Sequence, residues 1–155
     1  MCVALISCTS GSSGGGRAGG PVDATFTTLD GSSSSLAAYR GSPTVVNFFS
    51  STCVPCVTEM PSLEQLHQQL GTKVRFLGLD VQETPTAAQS FLATVKVTWD
   101  IGRDPDGSIL TGTFRGAGMP STVLLAPDGT VVKTWLNGKV PIDELTDLIH
   151  QKGYA

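Results

Sequence analysis

The sequence is poor in charge and contains no long apolar run. Charged residues make up 15% of its 155 positions, against about 25% in an average soluble domain, and the net charge is −3. This balance lacks the basic stripe that nucleic-acid binding needs, so it indicates no nucleic-acid partner. No segment approaches the roughly 18 consecutive apolar residues of a membrane-spanning helix. The length fits one domain with a single core.

Cysteine is too scarce for a small domain held together by disulfides. The four cysteines are unevenly placed: Cys2 and Cys8 stand near the N-terminus, and Cys53 and Cys56 form one close pair. A disulfide scaffold has a much higher cysteine density. The spacing therefore marks Cys53-Val-Pro-Cys56 as a unit with its own chemistry.

The N-terminal segment differs in composition from the rest of the chain. The letters "LISC", ending at Cys8, resemble the signal box of bacterial lipoproteins, in which the cysteine is lipidated after cleavage. A basic start and a full apolar segment do not precede it, so a truncated lipoprotein leader and an incidental cysteine are the alternatives. Residues 9–20 are nearly all glycine and serine, which predicts a flexible linker. We expect a leader and linker at 1–20 and one domain at 21–155.

Strand signals recur along that domain. Short strands are expected on both sides of the Asp30-Gly31 turn. Runs of β-branched and aromatic residues predict strands at 44–49 and 73–81. Two later strands, "STVLLA" and "TVVKTWL", are joined by a hairpin turn at Pro127-Asp128-Gly129. Residues 97–115 are irregular, with a short strand near Trp99–Ile101 and a helical turn near Ser108–Thr113.

Helix signals alternate with the strands. One helix is expected directly after the cysteine pair, with Pro61 inside it and Gly71 as its end. Further helices are expected from Pro85 and from Pro141. The alternation predicts an α/β domain in which a central mixed sheet has helices on both faces.

The Cys53/Cys56 pair has three candidate chemistries. A structural zinc site needs four ligands, and the chain holds no second cysteine or histidine pair, so we expect no metal. A static disulfide across a two-residue loop would add little stability. A redox-active pair remains the best interpretation, because the pair follows a strand and opens a helix. Backbone N–H groups at a helix N-terminus lower a thiol pKa, so Cys53 is the candidate nucleophile and Cys56, one turn on, the resolving thiol.

The motifs around this pair resemble a known family. "VVNFFSSTCVPC" is similar to "VVNFWASWCxPC" of the extracytoplasmic TlpA/ResA-type thioredoxin-like proteins, in the AhpC/TSA and redoxin-like, cytochrome c biogenesis group. "GMPSTVLLAPDGTVV" resembles the family segment that contains a cis-proline, and "LNGKVPIDELTDLI" resembles its closing helix. The resemblance covers roughly residues 22–152. It implies a thioredoxin fold with an N-terminal β-hairpin extension, and no cofactor.

The resemblance also implies site residues. Pro120, in a cis peptide after Met119, would face the cysteines, and the Met119 backbone would pair with an extended substrate strand. Thr52, Val54 and Pro55 would complete the surface around the nucleophile. Two departures stand out: Phe49 and Thr52 occupy positions where the family usually has tryptophan, which puts the choice of partner in doubt.

A carboxylate near the resolving thiol is also implied. Ordinary thioredoxins have a buried aspartate six residues before the first cysteine, and this chain has Asn47 there. The resemblance assigns the acid–base role to an acidic residue near the end of the next strand, which is Glu83. Near buried Cys56 its pKa would be raised, so that it accepts a proton. The alternative is a solvated loop glutamate followed by a Thr84 cap.

The resemblance implies a membrane-tethered thiol–disulfide oxidoreductase of the bacterial cell envelope. It would reduce specific protein disulfides, such as those of apocytochrome c, and receive electrons from a membrane thiol carrier of the CcdA/DsbD type. A lipid on Cys8 would anchor it, and we expect a monomer. The close alternative is an oxidant that introduces disulfides into exported proteins, because the sequence does not fix the reduction potential.

Two more distant functions fit less well. A peroxiredoxin would need threonine three residues before its cysteine and proline seven before it, where this chain has Cys53 and Phe49. A copper chaperone on the same fold would use CxxxC and a later histidine, but no histidine lies between His67 and His150.

Overall fold

A computed structural model describes residues 21–155, without the side chain of Val22. Its elements follow one another as β1 (Thr25–Thr28), β2 (Ser33–Ser35), β3 (Thr44–Phe49), α1 (Val54–Leu70), β4 (Arg75–Val81), α2 (Pro85–Val95), β5 (Asp100–Asp104), β6 (Ser121–Leu125), β7 (Val131–Trp135) and α3 (Ile142–Gln151). None of the helices in this part of the chain has the length and apolar character needed to cross a bilayer. Cys8, the predicted lipidation site, lies outside the described residues.

The strands form one mixed sheet in the order β2-β1-β5-β4-β3-β6-β7. Strands β3, β4 and β5 run parallel, with β3 paired to β4 and β4 to β5. The two edges are antiparallel: β1 and β2 form the N-terminal hairpin, and β6 and β7 form the late hairpin. The sheet confirms the expected fold class and both hairpins.

Strand β3 lies in the middle of the core, and all six of its residues are buried. Val45 and Phe49 point to one face of the sheet, where they join the buried residues of α1 and α3. Val46 and Phe48 point to the opposite face. A fully buried strand reads as a continuous apolar run, which is why its position was clear from the sequence.

The two faces of the sheet are covered unequally. The clustered apolar residues of α1, α2 and α3 pack on the face that contains Val45 and Phe49. The opposite face is covered by short helical turns at Leu36–Tyr39 and Ile109–Thr113, followed by Phe114. Helical segments therefore lie on both faces as predicted, but all three longer helices share one.

The short strand predicted near Trp99–Ile101 is present with the bounds Asp100–Asp104, and the helical turn predicted near Ser108–Thr113 lies at Ile109–Thr113. The strand is an interior strand of the sheet, a position that the sequence did not indicate. It pairs in parallel with β4 and antiparallel with β1. Its sequence, "DIGRD", is polar, so the hydrophobic pattern gives only a weak signal, and the full strand depends on pairing with its two neighbours.

Gly102 allows the N-terminal hairpin to pack on the sheet. A Cβ atom at this position would overlap Phe26 Cδ2 and would lie 2.7 Å from Phe26 Cε2. Phe26 is 5% exposed and belongs to the core beneath the hairpin. The missing side chain of Gly102 therefore provides the space that the Phe26 ring fills.

We expect Gly102→Ala to destabilise the domain, because the Phe26 ring must move out of its place in the core. Overpacking of this kind costs roughly 1–3 kcal/mol in free energy of unfolding. Gly112→Ala is the matched control, since a Cβ there meets nothing within 4 Å. Urea unfolding followed by tryptophan fluorescence measures both variants. Equal stability of the two variants would contradict this role of Gly102.

Candidate functional site

The cysteine pair lies where β3 passes into α1. Cys53 is the N-cap residue of α1, and its Sγ accepts a hydrogen bond from the Cys56 amide at 3.2 Å. Pro55 occupies the first helical turn, where a backbone N–H would have no partner within the helix, so a proline is well tolerated. The structure therefore places Cys53 at the helix N-terminus, as the sequence predicted.

Cys53 and Cys56 are joined by a disulfide, with an S–S distance of 1.99 Å and a Cα–Cα distance of 5.2 Å. Their exposure differs. Cys53 is only partly buried, whereas Cys56 is 0% exposed and belongs to the apolar core. This asymmetry matches an attacking sulfur at the surface and a resolving sulfur below it.

Exposed apolar side chains surround the pair. Val54 is 72% exposed and Val57 is 37% exposed, although both belong to α1. Thr52 and Pro55, the other predicted support residues, are also exposed. Large exposed apolar side chains grouped in this way favour contact with another molecule.

The Met119-Pro120 peptide bond is cis. It lies directly before β6, whose first residue, Ser121, pairs with Phe48 near the end of β3. That register brings the Met119-Pro120 segment beside the β3–α1 turn. Met119 is partly buried, and it packs against the same core cluster as Cys56. The structure thus brings together both predicted segments of the site.

Glu83 binds the turn that leads to Cys53. Its carboxylate accepts hydrogen bonds from the Ser51 amide at 2.6 Å and from Ser51 Oγ at 2.5 Å. Partial burial acts to raise the pKa of Glu83, but the two Ser51 hydrogen bonds and the neighbouring Asp80 side chain together outweigh it, and the pKa lies below its ordinary value. The expectation of a raised pKa was therefore wrong, since the contact with Ser51 stabilises the anion.

Glu59 is a buried acid that the sequence reasoning missed. It is 3% exposed and lies three residues after Cys56 in α1, so the two side chains share one buried face of the helix. Its Oε1 accepts a hydrogen bond from the Val140 amide at 2.5 Å, and its Oε2 accepts one from Asn47 Nδ2 at 3.1 Å. The missed signal was the spacing, because an acid three residues from a buried cysteine must itself face inward.

The environment of Glu59 favours its neutral form. Burial raises its pKa, and the hydrogen bonds from Val140 and Asn47 and the charge of Lys139 only partly oppose this shift. Asn47 also donates to Thr122 Oγ1 at 3.0 Å, which fixes the amide beneath α1. Asn47, which stands where ordinary thioredoxins have a buried aspartate, thus holds the buried Glu59 side chain in place.

His67 does not belong to this site. It lies in the last turn of α1, and its ring packs 5.1 Å from the Phe76 ring and 6.0 Å from the Trp99 ring, measured between centroids. The N–H of Gly71 caps the helix at the His67 carbonyl. His67 and Trp99 are therefore packing residues.

Comparisons with known proteins agree with this site. The chain is 30% identical over 108 residues to the thiol-disulfide oxidoreductase ResA of a Bacillus cereus strain. The aligned segment covers 69% of this chain and 62% of that relative. The chain thus spans less than two thirds of the length of the curated relative that it matches.

Solved structures show the same fold. A secreted Mycobacterium tuberculosis disulfide oxidoreductase homologous to E. coli DsbE is 28% identical, with a TM-score of 0.73 over 84% of this chain and 97% of the other. M. tuberculosis DsbF, in mixed oxidised and reduced forms, is 26% identical, with a TM-score of 0.75 over 84% of this chain and 96% of the other. The architecture is therefore thioredoxin-like.

A family model for AhpC/TSA proteins matches residues 20–134. This range contains strands β1 to β6, Cys53, Cys56 and the cis-proline. The chain belongs to the AhpC/TSA family.

Proposed function

We propose that this protein is a thiol–disulfide oxidoreductase that acts through Cys53 and Cys56. The observation that carries the proposal is the geometry of the pair: a partly exposed sulfur at a helix N-cap is bonded to a fully buried sulfur one turn away. The helix N-terminus stabilises the Cys53 thiolate, and the buried partner is protected from solvent. The 30% identical relative named as a thiol-disulfide oxidoreductase supports the same activity.

The exchange has two steps. In the reduced protein, the Cys53 thiolate attacks one sulfur of a substrate disulfide, a mixed disulfide forms, and the substrate's other sulfur leaves as a thiolate that takes a proton. The Cys56 thiolate then attacks Cys53 Sγ, which releases the second substrate thiolate and forms the Cys53–Cys56 disulfide. Two electrons pass from the protein dithiol to the substrate disulfide.

Glu59 is the group that we assign to the Cys56 proton. Cys56 is completely buried, so its proton has no direct path to solvent. Glu59 lies one helical turn away and is buried with a raised pKa, so its ionised form is a stronger base than an exposed glutamate and we assign it to take that proton. Glu83 has a different role in this proposal, because its lowered pKa and its two bonds to Ser51 suit an anion that holds the turn before Cys53.

The substrate surface follows from the exposed residues around the pair. The Met119 backbone, beside the cysteine turn, is available to an extended substrate segment, and the exposed Val54 and Val57 side chains offer apolar contacts. Thr52, where the family usually has tryptophan, leaves this surface less bulky than in those relatives. These features favour a polypeptide with an accessible disulfide as the substrate.

We also propose a cellular role for this activity. The resemblance to TlpA/ResA-type proteins supports reduction of specific disulfides outside the cytoplasm, with apocytochrome c as substrate and a membrane carrier of the CcdA/DsbD type as electron donor. The solved relative described as secreted supports the same location. A lipid on Cys8 would tether the domain through the glycine- and serine-rich segment that follows.

Cys53→Ser should abolish insulin reduction, and Cys56→Ser should trap a mixed disulfide on Cys53. The reason is that the first variant lacks the nucleophile and the second lacks the resolving thiol. Both are made in the full chain with Cys2→Ser and Cys8→Ser, so that only the pair contributes thiols. Turbidity measures insulin reduction, and intact mass measures the adduct. Insulin reduction that survives Cys53→Ser would refute the mechanism.

Glu59→Gln should slow the resolution step by about 100-fold near neutral pH, which is the scale of general-base catalysis. Glu59 accepts a proton only when ionised, so the wild-type rate should rise with pH through its raised pKa. The amide cannot accept a proton, and the variant should lose this rise. Stopped-flow release of a fluorescent substrate thiol from the mixed disulfide gives the rate at each pH.

Glu64→Gln is the matched control for this experiment. Glu64 is a buried glutamate of the same helix, about two turns beyond Cys56, and its carboxylate accepts from the Thr98 amide and from Thr98 Oγ1. The control should keep the pH dependence of resolution. The same pH profile in wild type and Glu59→Gln would remove Glu59 from the mechanism.

A further inference from the structure

Asp80 is a completely buried acid that the exchange steps do not use. It is 0% exposed in β4, where it pairs with Phe49 of β3 on one side and Arg103 of β5 on the other. Phe49 faces the helices, so its neighbour Asp80 lies on the same face, under the start of α1. Within residues 21–155, neither carboxylate oxygen of Asp80 has a hydrogen-bond partner.

Arg103 does not fully neutralise this acid. Its Nε lies 3.8 Å from Asp80 Oδ2, beyond hydrogen-bond distance, and the same guanidinium donates through its Nη2 to the Glu83 carbonyl. A buried carboxylate with no hydrogen bond and only a distant cation is costly to keep ionised. Asp80 would therefore be stabilised by a hydrogen-bond donor or by carrying a proton itself.

Glu83 is the group that faces Asp80. Gln82 between them has a positive φ of 58° and its N–H is held by the Asp104 carbonyl, so the chain turns sharply after β4. The turn places both residues around one guanidinium, since Arg103 Nε lies 3.8 Å from Asp80 Oδ2 and Arg103 Nη2 donates to the Glu83 carbonyl. The contribution of Glu83 to the raised pKa of Asp80 agrees with two neighbouring carboxyl groups. The Glu83 oxygens are already acceptors for the Ser51 amide and hydroxyl, so Glu83 is the anion of the two.

We propose that Asp80 and Glu83 form a carboxyl pair that shares one proton, in which Asp80 donates to Glu83 and Glu83 holds the turn before Cys53. Two neighbouring carboxylates, one of them completely buried, repel each other strongly when both are ionised, and the shared proton supplies the hydrogen bond that Asp80 lacks. The functional part of this inference rests on the proposed thiol–disulfide activity, whereas the shared proton itself does not.

The charges around Asp80 agree with this assignment. Burial raises the pKa of Asp80 most, and the hydrogen bond and negative charge of Glu83 raise it further, to about 7, against the opposing charge of Arg103. Among the described residues, Glu83 and Arg103 are the charged groups that act on it. The sulfurs of Cys53 and Cys56, which carry no charge in the disulfide, lie on the helix above.

The pair makes the nucleophile sensitive to pH. As pH rises through neutrality, Asp80 loses the shared proton, and a second negative charge appears beside Glu83. The repulsion weakens the hold of Glu83 on Ser51, and the added negative charge disfavours a thiolate on Cys53, two residues further on. The reactivity of Cys53 should therefore report the ionisation of Asp80 as well as its own.

The direct test follows carboxyl carbon shifts by NMR in the oxidised full chain with ¹³C-labelled aspartate and glutamate. We expect one aspartate to titrate near neutral pH in the wild type, to vanish in Asp80→Asn, and to titrate at lower pH in Glu83→Gln, where the neighbouring charge is gone. Asp104, another buried aspartate, is held by the Ile109 and Leu110 amides, so its signal should persist in both variants.

Two outcomes would contradict the proposal that Asp80 and Glu83 share a proton. One is that the aspartate signal lost in Asp80→Asn titrates at the ordinary position for an exposed carboxyl. The other is that Glu83→Gln leaves the midpoint of that signal unchanged. Because the measurement uses the oxidised protein and no substrate, it stands whether or not the thiol–disulfide activity is correct.

The functional consequence has a separate readout. In a Cys56→Ser background, the rate of Cys53 alkylation by iodoacetamide should show an inflection near neutral pH in addition to that of the thiol. Asp80→Asn should lose this inflection, since asparagine can still donate to Glu83 but cannot ionise. Asp143→Asn, an exposed position on α3, should keep it. An identical single inflection in wild type and Asp80→Asn would refute the coupling.

Discussion

The hydrogen bonding of Cys53 at the start of α1 is the constraint on which the rest of the site depends. Strand β3 is buried on both faces, and the turn that follows it leaves Cys53 as the N-cap of the helix, with Cys56 one turn deeper. This arrangement places one sulfur at the helix N-terminus, where it accepts the Cys56 N–H, and the other in the apolar core. The difference in environment gives two chemically equal thiols two different roles.

Three buried or half-buried acids surround this turn, and their surroundings separate their roles. Glu83 is kept ionised by the Ser51 hydrogen bonds and fixes the turn. Burial raises the pKa of Glu59, which lies below Cys56 and accepts a hydrogen bond from Asn47. Asp80, buried with no hydrogen-bond partner among the described residues, completes the set beside Glu83. One environment stabilises charge and two oppose it, so acids of similar intrinsic strength serve different purposes.

Much of this could be predicted from local sequence, and the rest depended on pairing in three dimensions. The apolar run at 44–49, the cysteine spacing and the hairpin turn at Pro127-Asp128-Gly129 carry their own signals, and the structure has the elements that they predict. Strand β5 has only a weak signal near Trp99–Ile101, and its full length and interior position depend on pairing with β4 and β1. Glu59 and Asp80 were missed because an acid in a helix or strand is usually on the surface. The spacing of Glu59 from Cys56 was a local sign of burial, whereas Asp80 is buried by strand pairing alone.

The redox equilibrium of the full chain with glutathione and dithiothreitol tests the central claim most directly. The claim is that Cys53 and Cys56 form a reversible pair that gives electrons to substrate disulfides. It predicts a single two-electron transition with a potential near the roughly −270 mV of thioredoxin. A pair that does not equilibrate with the buffer would contradict the exchange chemistry. A potential near the roughly −120 mV of DsbA would contradict the reducing direction and favour an oxidant.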